Sequence, residues 1–176
     1  MKIVNVEIKA RCADLQGIRD KLALAEADFV GRDHQIDTYY ETPKGRLKLR
    51  QGNIENALIA YDRANDCGPK RSDVLLYKTA DSASLKRILD NTMQRLVVVD
   101  KQRDIFFIDN VKFHLDTVAG LGNFVEVEAI DDLGTRSEQE LRDQCAQYIS
   151  LLQIRDEDLV THSYSDLIIN KNQNEN

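Results

Sequence analysis

The 176-residue sequence predicts an α+β fold centred on an eight-stranded antiparallel sheet curled into a barrel, with flanking helices. Three observations carry this. Apolar and polar residues alternate at period two in roughly eight stretches, the mark of strands with one buried face. Short turns join most of these stretches, which makes neighbouring strands antiparallel. Stripes of apolar residues at helical spacing interrupt the strands twice and then close the chain.

The elements follow in order. Residues 3–11 read as a first strand, with Val6, Ile8 and Ala10 opposite Asn5, Glu7, Lys9 and Arg11. Asp14 is placed to cap a helix to about Glu26, striped by Leu15, Ile18, Leu22 and Ala25. FVGRDHQIDTYYETPKGRLKLRQG reads as two strands joined at Pro43-Lys44-Gly45. NALIAYDRA is a fourth strand, the polar NDCGPKRSD at 65–73 a loop, and VLLYKTA a fifth strand. Ser82 is placed to cap a helix over about 83–94. RLVVVDKQRDIFFID is a long sixth strand, which Asn110 turns into VKFHLDTVAG; Gly120 and Gly122 turn that into NFVEVEAID. Ser137-x-x-Glu140 is a capping-box pattern that opens a helix to about 152. Short helices near 156–161 and 164–169 follow. The expected organisation is one domain over 1–169 and a disordered polar tail at 170–176.

Composition narrows the function classes. The formal net charge of −6 argues against a nucleic-acid partner, since phosphate-backbone binding shows as a basic surplus. Cys12, Cys67 and Cys145 are widely spaced and form no zinc pattern; they read as reduced thiols of a cytoplasmic protein. His34, His114 and His162 are too dispersed for a metal cluster. No stretch has the length and apolarity of a signal peptide or a membrane helix, so no membrane partner is expected. The oligomeric state stays open, a homodimer included.

The polar strand faces carry the functional argument. They are mostly Lys and Arg: Lys9 and Arg11, then Lys48 and Arg50, Arg63, Lys78, Lys101 with Arg103, and Lys112. Acidic residues on these faces gather on the first, second and last two strands, as Glu7, Asp37, Asp116, Glu126 and Glu128, while the surplus negative charge lies in the C-terminal helices. A solvated face has no reason to sort its charges in this way. If the sheet curls with the charged face inward, the helices cover the apolar outside. The lumen then holds about ten cations and a few carboxylates, a self-repelling set unless a polyanion fills it. Carboxylates beside a polyanion point to a divalent metal, because Mg²⁺ is held by one or two carboxylates plus substrate phosphates. The reading is a barrel that binds a metal–triphosphate or metal–polyphosphate.

NVEIKAR at 5–11 resembles the E-x-E-x-K signature of the CYTH superfamily, the triphosphate tunnel metalloenzymes. The resemblance runs on through QIDTYY, GRLKLR, LLYKT, DKQRDIFF, VKFHLD, GLGNFVEVEA and SYSDLI, over about residues 3–168. DKQRDIFF followed by GLGNFVEVE is most similar to the class IV adenylyl cyclase branch. The resemblance implies an eight-stranded tunnel, Mg²⁺ or Mn²⁺, and a triphosphate substrate. It implies that Glu7, Asp116, Glu126 and Glu128 are metal ligands and that Lys48, Arg50, Arg63, Lys78, Lys101 and Arg103 grip phosphate, with Lys9 also a phosphate contact. Lys9 or Glu7 is the implied catalytic base, and Asp37 and Tyr39 would shape the mouth. Asn5 departs from the signature, which has Glu there; one negative charge and one base are lost.

Three functions are open at this point. A class IV-type cyclase would turn ATP into cyclic AMP and pyrophosphate. A triphosphatase would hydrolyse thiamine triphosphate or inorganic triphosphate; other members of the superfamily act on RNA 5′-triphosphates. A non-catalytic protein would bind triphosphate or polyphosphate only, a reading that Asn5 favours.

Overall fold

The strands are β1 (Lys2–Arg11), β2 (Asp28–Tyr40), β3 (Arg46–Gln51), β4 (Ala57–Arg63), β5 (Lys70–Lys78), β6 (Arg95–Ile108), β7 (Val111–Val118) and β8 (Gly122–Asp131). The helices are α1 (Leu15–Leu24), α2 (Ser82–Thr92), α3 (Glu138–Leu152) and α4 (Tyr164–Asn174), with a 3-10 turn at Asp156–Asp158. The computed structural model describes residues 2–63 and 69–174. Among these, the strands close into an antiparallel ring in the order β1-β5-β4-β3-β2-β6-β7-β8. Closure removes the unpaired edges that an open sheet of this length would expose.

Turn chemistry fixes the local folding. Gly45 sits at φ +67° in the β2–β3 turn, and a side chain there would meet the Tyr61 carbonyl oxygen at 2.8 Å. Asp14 caps α1 by accepting from the Gly17 amide at 2.9 Å. Ser137 and Glu140 form the full capping box of α3. In α2 the cap is Asp81 rather than Ser82: its carboxylate accepts from the Ser84 amide at 2.9 Å, and Ser82 becomes the first helical residue.

Two boundaries move for a physical reason. β5 begins at Lys70, so residues 70–73 of the expected loop are strand, paired with Val4, Asn5, Val6 and Glu7 of β1. Cross-strand backbone pairing overrides their polar composition. Residues 65–68 of that loop, Cys67 included, lie outside the described residues. α4 runs to Asn174, so residues 170–174 of the expected tail are helical.

The outer face of the barrel is apolar where helices cover it. Val6 and Ile8 of β1, Phe113 and Leu115 of β7, and Val125 and Val127 of β8 are buried against Leu22 of α1 and Leu141, Cys145 and Leu152 of α3. Each such side chain contributes about 1.5–3 kcal/mol on burial. Leu89 of α2 covers Tyr40 and Leu49 in the same way. Cover is partial, however: Leu75 and Tyr77 on the outer face of β5 are exposed.

Strand direction alternates round the ring, so the joins split between two ends. Residues 52–56, 79–81 and 109–110 lie at one end; 12–14, 41–45 and 119–121 lie at the other. Residues 159–166 fold over that second end. Leu159 bridges to Ala10, the Val160 amide donates to the Lys9 carbonyl at 2.8 Å, and Asp166 pairs with Arg46 at 2.8 Å. Ser163 and Tyr164 thereby form the floor of the barrel interior.

Candidate functional site

The alternating faces predicted from sequence do point inward. They line a cavity of about 570 Å³ that opens at the end formed by residues 52–56 and 79–81. Glu7, Lys9, Lys48, Arg50, Lys78, Lys101, Arg103, Glu126 and Glu128, all singled out in the sequence, border it. Lys78 stands at the exposed rim. β4 brings Arg63 to the covered end, but its side chain lies outside the described residues. Arg11 does not border the cavity; it is exposed and lies over the Phe124 ring.

Each deep cation has a counter-ion, so the expected self-repelling lumen is corrected. Asp37, read as a residue of the mouth, is fully buried in the wall. It accepts two bonds of 2.9 Å from Arg50, one of 3.0 Å from Lys48 and one of 2.9 Å from Lys101. Burial alone would raise its pKa, but Arg50, Lys101 and Lys48 outweigh that and hold it well below the usual carboxylate range. Three cations share this one carboxylate, which leaves a surplus. Lys101 bears it: burial first, then Arg103, pull its ammonium down to about 7 against the opposing pull of Asp37.

A second network lies on β6, β7 and β8. Arg103 donates to both Asp116 oxygens, at 2.6 and 2.5 Å, and to Glu126 at 2.7 Å. Asp116, read as a metal ligand, is fully buried and also accepts from the Tyr164 hydroxyl at 2.7 Å. It does not border the cavity and acts there as the counter-ion of Arg103. Glu126 also pairs with Lys9 and with His114 Nδ1 at 3.0 Å. Burial would raise Glu126, yet Lys9 and Arg103 keep it well below its ordinary range. Burial, then Arg103, push the His114 imidazole down to about 3, so it is neutral.

The β1–β8 wall brings three carboxylates, Glu7, Glu126 and Glu128, to the cavity. Glu7 stands opposite Glu128 in the strand register, and Lys9 opposite Glu126 one step deeper. Burial raises the Glu128 carboxyl; Lys112 opposes this, and Glu7 and Glu126 add to it. Asn5 donates its Nδ2 to Glu128, while its buried Oδ1 has no partner. The donors on this wall are all hard oxygens. Among the described residues, no three Asp, Glu, His or Cys side chains form a group able to hold a metal ion alone.

Two contributors were not legible beforehand. Glu55 on the 52–56 join reaches into the cavity, where Arg50 donates to it at 2.8 Å, Gln35 at 3.0 Å, and Lys112 pairs with it. It lies between strands, so no alternation marked it. Tyr164 lies under the Lys9 ammonium, 3.7 Å from its ring centroid; only the SYSDLI stretch hinted at it.

One wall is different. Ile59 of β4 and Val74 and Leu76 of β5 present apolar side chains to the same cavity. The interior thus has a charged side, on β1, β3, β6, β7 and β8, and a side on β4 and β5 where Ile59, Val74 and Leu76 form an apolar patch between Tyr61, Ser72 and Lys78.

A family model described as the CYTH domain matches residues 4–164. A protein of Methanocaldococcus jannaschii, provisionally named an adenylate cyclase, is 22% identical over 94% of this chain and 98% of its own. The solved structure of a Pyrococcus horikoshii protein superposes with a TM-score of 0.78 at 22% identity, covering 93% of this chain and 98% of that one. A Hippeastrum protein, provisionally named an adenylyl cyclase and described as having a dominant triphosphatase activity, gives a TM-score of 0.63 at 12% identity, covering 98% of this chain and 96% of that one.

Proposed function

The chain belongs to the CYTH domain family, and on that premise we propose that its tunnel takes a nucleoside triphosphate and acts as a class IV-type adenylyl cyclase, forming cyclic AMP and pyrophosphate from ATP. The observation that carries this is the two-sided lumen. The apolar face of Ile59, Val74 and Leu76 suits a nucleoside, and an inorganic triphosphate would have no use for it.

The phosphates would lie along Lys48, Lys101, Arg103 and Lys9, toward the closed end, with Arg50, beside the 52–56 join, and Lys78 nearer the rim. These cations leave Asp37 and Glu126 in part to meet phosphate oxygens, and the β- and γ-phosphates are stabilised as the leaving group. Glu7 and Glu126, with Asn5 Oδ1, would hold a divalent cation. When bound, that cation polarises the α-phosphate and lowers the pKa of the attacking 3′-hydroxyl. Glu128 is one register step nearer the mouth than Glu126, on the nucleoside side, and its raised carboxyl suits it to accept the hydroxyl proton. Lys9 is engaged as a cation by Glu126 and the Tyr164 ring, so we assign it to phosphate and not to proton transfer.

Triphosphate hydrolysis is the second reading. It is favoured by Glu126 at the deep end, beside Lys9 and Arg103, where a terminal phosphate would lie. The test is incubation with ATP and Mn²⁺ or Mg²⁺, with inorganic and thiamine triphosphate in parallel, and separation of the products. Cyclic AMP and pyrophosphate support the cyclase; orthophosphate without cyclic AMP supports hydrolysis. Tight binding with neither product overturns both and leaves a binding protein.

A further inference from the structure

The mouth of the tunnel carries a charge arrangement that the proposed chemistry does not use. Arg50 of β3 and Lys112 of β7 stand three strands apart in the ring of eight. Glu55 spans them from the 52–56 join, with Oε2 on Arg50 and Oε1 on Lys112. The join is pinned there: Asp33 is fully buried on β2 and accepts from the Ile54 and Glu55 amides at 2.9 and 3.0 Å. Gln35 donates to both Asp33 and Glu55. Gly52 leaves no room for change, since a Cβ there would lie 2.7 Å from both Asp33 oxygens. The carboxylate is therefore placed by buried groups and is not a passing surface contact.

We infer that Glu55 is a specificity residue: it cancels the positive charge at the open end, so that the tunnel selects a triphosphate whose outer end is uncharged and rejects longer polyanions. This rests on the reading that phosphates lie at the closed end. Ile54 beside Glu55, and Ile59 and Leu76 below, offer that outer end an apolar contact. A phosphate chain longer than three would place its next charge against Glu55, where a like charge repels it and both nearby cations are taken. Lys78, paired in register with Ala57 and exposed at the rim, is a mouth cation outside the Glu55 bridge; it can guide an anion inward without holding a long one.

The test is isothermal titration of tripolyphosphate and of a longer linear polyphosphate, with wild type, Glu55→Gln and Lys112→Gln, each checked for cooperative unfolding. Glu55→Gln keeps the shape and removes the charge. It should tighten binding of the longer chain by about tenfold and change tripolyphosphate by less than about threefold. Lys112→Gln leaves Glu55 under-neutralised and should move the ratio the other way. A merely structural role would shift both variants in the same direction, and that result, or an unchanged ratio, overturns the inference. If wild type binds no tripolyphosphate, the reading of the lumen falls instead. Should Glu55→Gln fail to fold, the sign of the Lys112→Gln shift decides.

Discussion

Tyr164 donates its hydroxyl to Asp116 at 2.7 Å, and so ties the helix that floors the barrel to strand β7. Both residues are buried. Asp116 is also the bidentate partner of Arg103, so the bond holds in place a cation of the lumen. Tyr164→Phe keeps the ring under Lys9 and removes only the hydroxyl. A hydrogen bond to a charged group contributes about 1.5–3 kcal/mol, and urea unfolding should show a loss of that size. Loss of Arg103-dependent phosphate affinity should accompany it.

Asp37 is the counter-ion of three cations. Asp37→Asn keeps the shape and leaves Arg50, Lys48 and Lys101 facing one another, a change expected to cost about 3–5 kcal/mol. A bound polyanion supplies the missing charge. Thermal unfolding should therefore show a larger stabilisation by tripolyphosphate in the variant than in wild type. An equal stabilisation would mean that the polyanion does not reach these cations.

Burial, and then the Arg103 guanidinium beside it, pull the Lys101 ammonium down to about 7. Above that pH it is neutral and must take up a proton to meet a phosphate; below it, the charge is already present. Triphosphate affinity should accordingly fall as pH rises above 7, by up to about tenfold per pH unit for one linked proton. Calorimetry in buffers of different ionisation heat should show proton uptake over the same range. Lys101→Arg, always charged, should flatten both curves.

Asn5→Glu would replace the amide that donates to Glu128 with a further carboxylate beside Glu7 and Glu128. Without metal, the variant should lose about 1–3 kcal/mol through the lost donor and like-charge crowding. Mn²⁺ should restore it more than it stabilises wild type, because a ligand that binds the folded state adds stability in proportion to its affinity. Melting curves in chelator and in Mn²⁺ compare the two.

The fold was legible because period-two alternation is dictated by strand geometry and appears in most of the strands; Lys48 and Arg50 against Leu47 and Leu49 need no further information. The inward direction of the charged faces followed from how the charges were sorted. What stayed hidden was pairing. A sequence shows that Asp37, Asp116 and Lys101 share a face with other ions, but which carboxylate meets which cation depends on strands adjacent in space and distant in the chain. The bonds from Arg103 and Tyr164 to Asp116 are of this kind, and the sequence does not show them. Glu55 sits in a join, where no period marks the inward direction.

Among the described residues, Ser163 and Tyr164 floor one end of the tunnel, and the other end is its way in and out. In the proposed orientation, whatever travels deepest leaves last. Cyclic AMP would depart first and pyrophosphate second, so the enzyme would wait, between turnovers, with pyrophosphate still in place. Pyrophosphate should then inhibit competitively against ATP and cyclic AMP non-competitively, and turnover should quicken when a pyrophosphatase is added.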